Sequence, residues 1–176
     1  MMVKFFWYLL LFSLLAVWQI SFAGSLPWYL REINFFIIFL VFFLEFSHDN
    51  LFWWFLFAGF IFDFYYAAPF GFFMIFLPAV FLFAKFLSLN FFTNRSLYSC
   101  WGLTFFAVIF YYFVFYGAFY AIKFSVGEPL FILEKKFWLS LLLAIILNLS
   151  VSSLVFYFFG ALSDRLKPFF IVKGNK

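Results

Sequence analysis

Apolar runs and short polar breaks alternate along this chain. The runs cover about residues 5–23, 33–46, 51–68, 71–89, 98–122 and 137–162. The breaks carry residues that end helices and suit water. They are Pro27, Arg31 and Glu32 within 24–32; Ser47, His48, Asp49 and Asn50; and the small-residue turn Ala67-Ala68-Pro69-Phe70-Gly71. Thr93, Asn94, Arg95 and Ser96 follow, and the longest loop, 123–136, holds Gly127, Glu128, Pro129 and Glu134. A helix of about 20 apolar residues crosses a bilayer. The pattern therefore predicts an all-α polytopic membrane protein, with residues 1–176 forming one compact bundle of six transmembrane helices and a short basic tail from Ser163 onward. Run 33–46 is short for a crossing. Either it starts near Trp28 with Arg31 snorkelling outward, or it lies where the bilayer is thinned. Pro78 removes a hydrogen bond inside the fourth helix and predicts a kink. Tyr112, Tyr116 and Tyr120 form a stripe on the fifth, while Asn148 and Ser152 share a face of the sixth.

Composition changes the picture by exclusion. The hydrophobic fraction is 69% and the charged fraction 10%, whereas soluble domains carry about 25% charge. A soluble core could not hide this much apolar surface. Phenylalanine supplies 39 residues, which fits lipid-facing positions that ask only for apolarity. Lys4, the first apolar run and Ala23 have the parts of a secretory signal, but the run is long for one and the chain beyond it is equally apolar, so it is read as the first helix. A single cysteine, Cys100, excludes an internal disulfide, and without a Cys/His cluster no metal or other cofactor is expected. The net charge of +4 is scattered, so nucleic acid is not an expected partner, whereas membrane lipid is. Seven basic residues (Lys4, Lys85, Arg95, Arg165, Lys167, Lys173 and Lys176) fall on the side of both termini, against four (Arg31, Lys123, Lys135 and Lys136) on the other. That excess predicts cytoplasmic termini.

Asp63 is the residue that the third run must account for. A carboxylate at mid-helix costs roughly 2.5–3.5 kcal/mol on insertion scales. Nine Leu, Ile or Phe residues in the same run return about 0.3–0.6 kcal/mol each. The helix inserts, but Asp63 must face protein or reach the interface. With a helix over 51–68 it lies about five residues from the outer end, or ~8 Å deep. Gln19, Asn34 and Tyr116 come out in the same leaflet, and with Asp63 they are expected to form a buried polar cluster. Lys85 lies far from that end and is expected to snorkel to the cytoplasmic face. Gly59, one turn before Asp63, permits close helix approach. Glu45 sits at a helix end, His48 in a turn and the serines on helices without an evident base. That pattern argues against intramembrane hydrolysis and against an enzyme.

The segment Ala58-Gly59-Phe60-Ile61-Phe62-Asp63, followed by a small-residue turn ending Pro69-Phe70-Gly71 and an apolar helix, resembles the central segment of the MreD family of rod shape-determining membrane proteins. Gln19 near the end of the first helix, Asn34 opening the second and the polar turn at Asn94-Arg95 fall where the family has similar residues. Phe and Tyr replace much of that family's Leu, Val and Ile. The resemblance implies a non-enzymatic scaffold of the bacterial elongation machinery in the cytoplasmic (inner) membrane. Its partner would be an MreC-like single-span protein, with MreB, RodA and a class B penicillin-binding transpeptidase acting indirectly in peptidoglycan synthesis and cell shape. It also implies a fold like the substrate-capture subunits of energy-coupling-factor vitamin transporters. Carried over by position, Gly59 would allow packing, Asp63 would hold a buried polar contact and Gly71 would permit the turn. The alternative from the same fold likeness is a small-molecule capture subunit of a transporter, although the first helix lacks a close alanine pair, since Ala16 and Ala23 are seven apart. An ion path through Asp63 is a third reading, weakened by the absence of a relay.

Overall fold

A computed structural model describes residues 2–46, 51–66, 69–92, 96–126 and 135–171, with side-chain surroundings given for 5–22, 24–45, 51–66, 69–92, 96–118, 120 and 137–158. The turn Ser47-His48-Asp49-Asn50, Ala67-Ala68, Thr93-Asn94-Arg95, the loop centre 127–134 and the last tail residues lie outside the described residues.

Every regular element described is a helix. They are α1 (Met2–Val17), extended by a π-helical segment (Trp18–Ala23), α2 (Phe35–Phe46), α3 (Phe52–Tyr65), α4 (Phe72–Asn90), α5 (Leu97–Val126) and α6 (Lys135–Ile171). Among the described residues, four helices hold windows long and apolar enough to cross a membrane: Phe5–Phe22, Phe72–Asn90, Leu97–Ala118 and Phe137–Phe158. These mark a helical, multi-pass membrane protein. The apolar parts of α2 and α3, Phe35–Glu45 and Phe52–Tyr65, are shorter than the ~20 residues that a full crossing needs.

Three expected boundaries are corrected. The third helix ends at Tyr65, not 68, because Tyr66 turns to extended backbone at φ −96° and ψ 139°. Asp63 is thus only two residues from its end. The tail expected from Ser163 is helical as far as Ile171. Polar residues there mark the exit from an apolar environment, but none of Ser163-Asp164-Arg165-Leu166-Lys167 breaks a helix. The same holds for α5, which passes Lys123 and reaches Val126. Pro78 is buried inside a continuous α4.

Lipid offers apolar side chains as good a home as protein does, so helices here are held by packing and hydrogen bonds rather than by water exclusion. Aromatic rings supply much of the packing. Phe12 of α1 meets Phe39 of α2 edge-on at 5.6 Å and Phe55 of α3 at 5.3 Å, and Phe55 stacks on Phe81 of α4 at 5.1 Å. Edge-to-face and offset pairs add about 0.5–1.5 kcal/mol each beyond burial. The α5–α6 pair is joined differently. Small side chains at Ala107 and Ala144 are fully buried, and hydroxyls cross between the helices. Thr104 Oγ1 lies 3.2 Å from Ser152 Oγ, and Trp101 Nε1 donates to Ser153 Oγ at 2.7 Å. Adjacent residues of α4 show both environments, with Phe81 1% exposed and Leu82 51% exposed. Phe81→Ala is expected to lower stability by about 3 kcal/mol, through the cavity it leaves. Leu82→Ala is expected to cost under about 1 kcal/mol. Thermal unfolding of the detergent-solubilised protein checks the pair.

Candidate functional site

Gly59 and Asp63 lie one turn apart on α3, on the face that meets the first turn of α4. At Gly59 the fit is backbone against backbone. A Cβ there would stand 2.3 Å from the Phe73 carbonyl oxygen and 2.7 Å from Met74 Cα. Glycine alone lets the helices come this close.

One turn further on, the Asp63 side chain caps α4. Its Oδ1 accepts the Phe73 N–H at 2.8 Å, and its Oδ2 accepts those of Gly71 at 3.1 Å and Met74 at 3.2 Å. The first amides of a helix have no carbonyl four residues back, and in an apolar medium no water replaces it. An N-cap residue usually supplies this acceptor from its own side chain. Here the N-cap is Gly71, which has no side chain to offer and adopts φ +91°, a conformation that favours glycine. Nothing lies within 4 Å of a Cβ built on Gly71, so its requirement is torsional rather than steric. Asp63 supplies from the preceding helix what Gly71 cannot. The positive end of the α4 dipole also favours a negative charge there. This answers the cost of Asp63: it is 7% exposed, with both oxygens engaged by protein.

A second set of polar groups surrounds the start of α2. Asn34 Oδ1 accepts the Phe36 and Ile37 N–H groups at 3.1 and 3.2 Å, an ordinary N-cap. Gln19 of the π-helical segment accepts the Phe35 N–H at 2.8 Å and donates to the Ile33 carbonyl at 3.3 Å. Asn148 of α6 is fully buried. It accepts the Asn34 N–H at 2.9 Å and donates to the carbonyls of Glu32 at 3.0 Å and Ala144 at 2.8 Å. The Tyr112 hydroxyl donates to Glu32 Oε2. Irregular backbone is thus held from α1, α5 and α6 at once.

The expected cluster of Gln19, Asn34, Asp63 and Tyr116 therefore does not form as one unit. Gln19 and Asn34 come together at α2, and Asp63 serves α4 separately. Tyr116 is 44% exposed and packs by its ring, 6.0 Å from Tyr112 and 4.8 Å from Phe137. Gln19, Asn34 and Asp63 have each bonded bare helix amides nearby rather than one another. Between the two starts stand aromatic rings, with Phe36 5.1 Å from Phe62 and Phe62 5.7 Å from Phe73. Sequence reasoning did not single out Glu32, Tyr112 or Asn148 as site residues. Asn148 carried the signal that marked Asp63, a polar residue within a long apolar run. Glu45, read as a helix-end residue, is only 5% exposed. Lys85 Nζ lies 5.7 Å from the centre of the buried Phe81 ring. Among the described residues no three His, Cys, Asp or Glu side chains gather in a way that could hold a metal. No family model, curated protein or solved structure matches this chain.

Removing Asp63 with Ala strands three amides and is expected to cost about 2–4 kcal/mol; Asn, which keeps one acceptor oxygen, should cost less. Gly59→Ala forces the hairpin apart and should also destabilise by about 1–3 kcal/mol. Asn148→Leu strands the Asn34 amide and the Glu32 carbonyl at a similar cost, about 2 kcal/mol. Unfolding in detergent, with membrane accumulation as control, measures all four.

Proposed function

We propose that this chain is a non-enzymatic, six-span membrane scaffold of the MreD type, serving the bacterial elongation machinery from the cytoplasmic membrane with both termini inside. In that reading it binds an MreC-like single-span protein and supports cell shape and peptidoglycan synthesis. MreB, RodA and a class B transpeptidase are engaged indirectly. The observation that supports it most is the occupation of the Asp63 carboxylate by the Gly71, Phe73 and Met74 amides. A scaffold must present a fixed surface, and a carboxylate bound on both oxygens fixes a helical hairpin without taking part in a reaction. In that reading the short α2 and α3 also cross, with polar side chains securing the start of α2, within a bundle likened to the capture subunits of energy-coupling-factor transporters.

A capture subunit for a small molecule is the second reading. It is favoured by half-buried Glu32 beside Tyr112 and the exposed Tyr116. Polar and aromatic groups converging at the mouth of a bundle are what a ligand site needs.

Co-purification from membranes separates the two. The native chain is expected to retain a single-span protein with a large extracytoplasmic domain, and Gly59→Leu, which displaces α4, to lose it. Asp63→Asn should weaken the recovery. A transport ATPase pair or a bound metabolite in its place would overturn the scaffold and favour capture.

A further inference from the structure

The loop before α2 leaves one carboxylate oxygen uncommitted. Glu32 Oε2 accepts the Tyr112 hydroxyl, and the Glu32 backbone carbonyl accepts Asn148 Nδ2. Both contacts fix the residue in place. Its Oε1 accepts nothing: among the described residues no N–H, hydroxyl or cation bonds to it. Glu32 is half-buried, and Oε1 is open to the surface rather than sealed inside. Arg31, the preceding residue, does not pair with it; its Nη2 donates to the Gly24 carbonyl at 2.9 Å.

Tyrosines flank this oxygen. Tyr116 lies one turn beyond Tyr112 on α5, with the two rings 6.0 Å apart and 20° from parallel. The Glu32 charge acts on Tyr111 and Tyr116 as well as on Tyr112. Tyr66, at the end of α3, is in electrostatic reach of Tyr111 and of Arg31. Tyr66 and Tyr116 are 42% and 44% exposed. Neither hydroxyl has a hydrogen-bond partner among the described residues. The loop, the end of α3 and one face of α5 thus gather acceptors that the fold itself does not use.

A carboxylate partly withdrawn from water is costly unless a donor or cation meets it. Tyrosine ring faces attract cations too. The acceptors narrow the class of cation. A guanidinium grips a carboxylate by both oxygens, and Tyr112 already holds one of them. A quaternary ammonium has no N–H to give the open oxygen. A hard metal ion takes about six or more oxygens. A primary ammonium carries three donors on one atom, and a tyrosine oxygen can accept while its O–H donates.

We propose that Glu32 and Tyr116, with Tyr112 steadying the carboxylate, form a binding site for a primary ammonium group. Two sources carry that chemistry. One is the headgroup of an amine-bearing phospholipid, whose phosphate would lie toward the exposed Arg31. The other is a free small amine, a form that rests on the capture reading and names its ligand class. A lipid amine is compatible with a scaffold.

Lipid retention by the intact protein tests the site. The full chain in mild detergent is offered equal amounts of phosphatidylethanolamine, phosphatidylcholine and phosphatidylglycerol. Native mass spectrometry is expected to find the first retained at least about threefold over each of the others, because it alone offers ammonium N–H donors. Glu32→Gln keeps an acceptor for Tyr112 but removes the charge, and should abolish that preference. The exposed Tyr116→Leu should reduce it by about twofold or more, and decides the matter if Glu32→Gln fails to accumulate. In a second arm, free ethanolamine and choline are titrated against thermal unfolding. Saturable stabilisation by ethanolamine, at least about threefold tighter than by choline, assigns the site to a free amine. Lipid preference without that stabilisation assigns it to the headgroup. Equal retention of the three lipids with no saturable effect of ethanolamine overturns the proposal, as does a preference unchanged in the variants. Co-purification of a single-span protein bears on the capture reading alone and leaves the ammonium site standing.

Discussion

A helix that starts among apolar groups cannot leave its first amides bare, and the architecture of this protein follows from that constraint. Bare amides in hydrocarbon cost several kcal/mol apiece. The protein meets the cost with side chains borrowed from neighbouring helices: Asp63 of α3 for the start of α4, and Gln19 beside α1 with Asn148 of α6 for the approach to α2. Each borrowed cap is also a tether between elements. The polar groups that would penalise insertion of single helices thereby become the bonds that place helices against one another.

Other features depend on these tethers. The reach from Asp63 to the first turn of α4 requires that the two backbones touch, hence Gly59, and that the chain turn sharply, hence Gly71 at positive φ. At 1.5 Å per residue α2 is about 18 Å long and α3 about 21 Å, well short of the ~30 Å hydrocarbon core. Asn148 lies eleven residues inside the apolar window that opens at Phe137, about 16 Å along α6. The backbone it holds is consequently drawn below the ends of the longer helices. Non-helical backbone at such depth is tolerated only when protein satisfies it, as Gln19, Asn34 and Asn148 do here.

The helical class was legible because long apolar runs admit few other structures. Gly59, Asp63 and Gly71 stood out because a carboxylate and two glycines in an apolar stretch require a physical reason. What each bonds to was not legible. Pattern and depth placed Gln19, Asn34, Asp63 and Tyr116 in one layer, but depth does not say which way a side chain points. The direction was set by the nearest unsatisfied amides, and these depend on where α3 stops and α4 starts. Tyr66 leaves the helix three residues before the expected end, and that shift brings Asp63 to the turn. Glu32 was hidden by lying in a loop, a position that implied water until the loop proved to be packed against α5 and α6.

The central physical claim is that the Asp63 carboxylate binds the start of α4. Solid-state NMR of the protein in bilayers tests it directly, with side-chain carboxyl carbon-13 in aspartate and nitrogen-15 in glycine and methionine. Asp63 is within hydrogen-bonding distance of the Gly71 and Met74 amides, so one aspartate carboxyl should correlate with one glycine and one methionine amide, and both signals should vanish in Asp63→Ala. An Asp63 carboxyl that correlates with neither amide, or that exchanges freely with water, would contradict the claim.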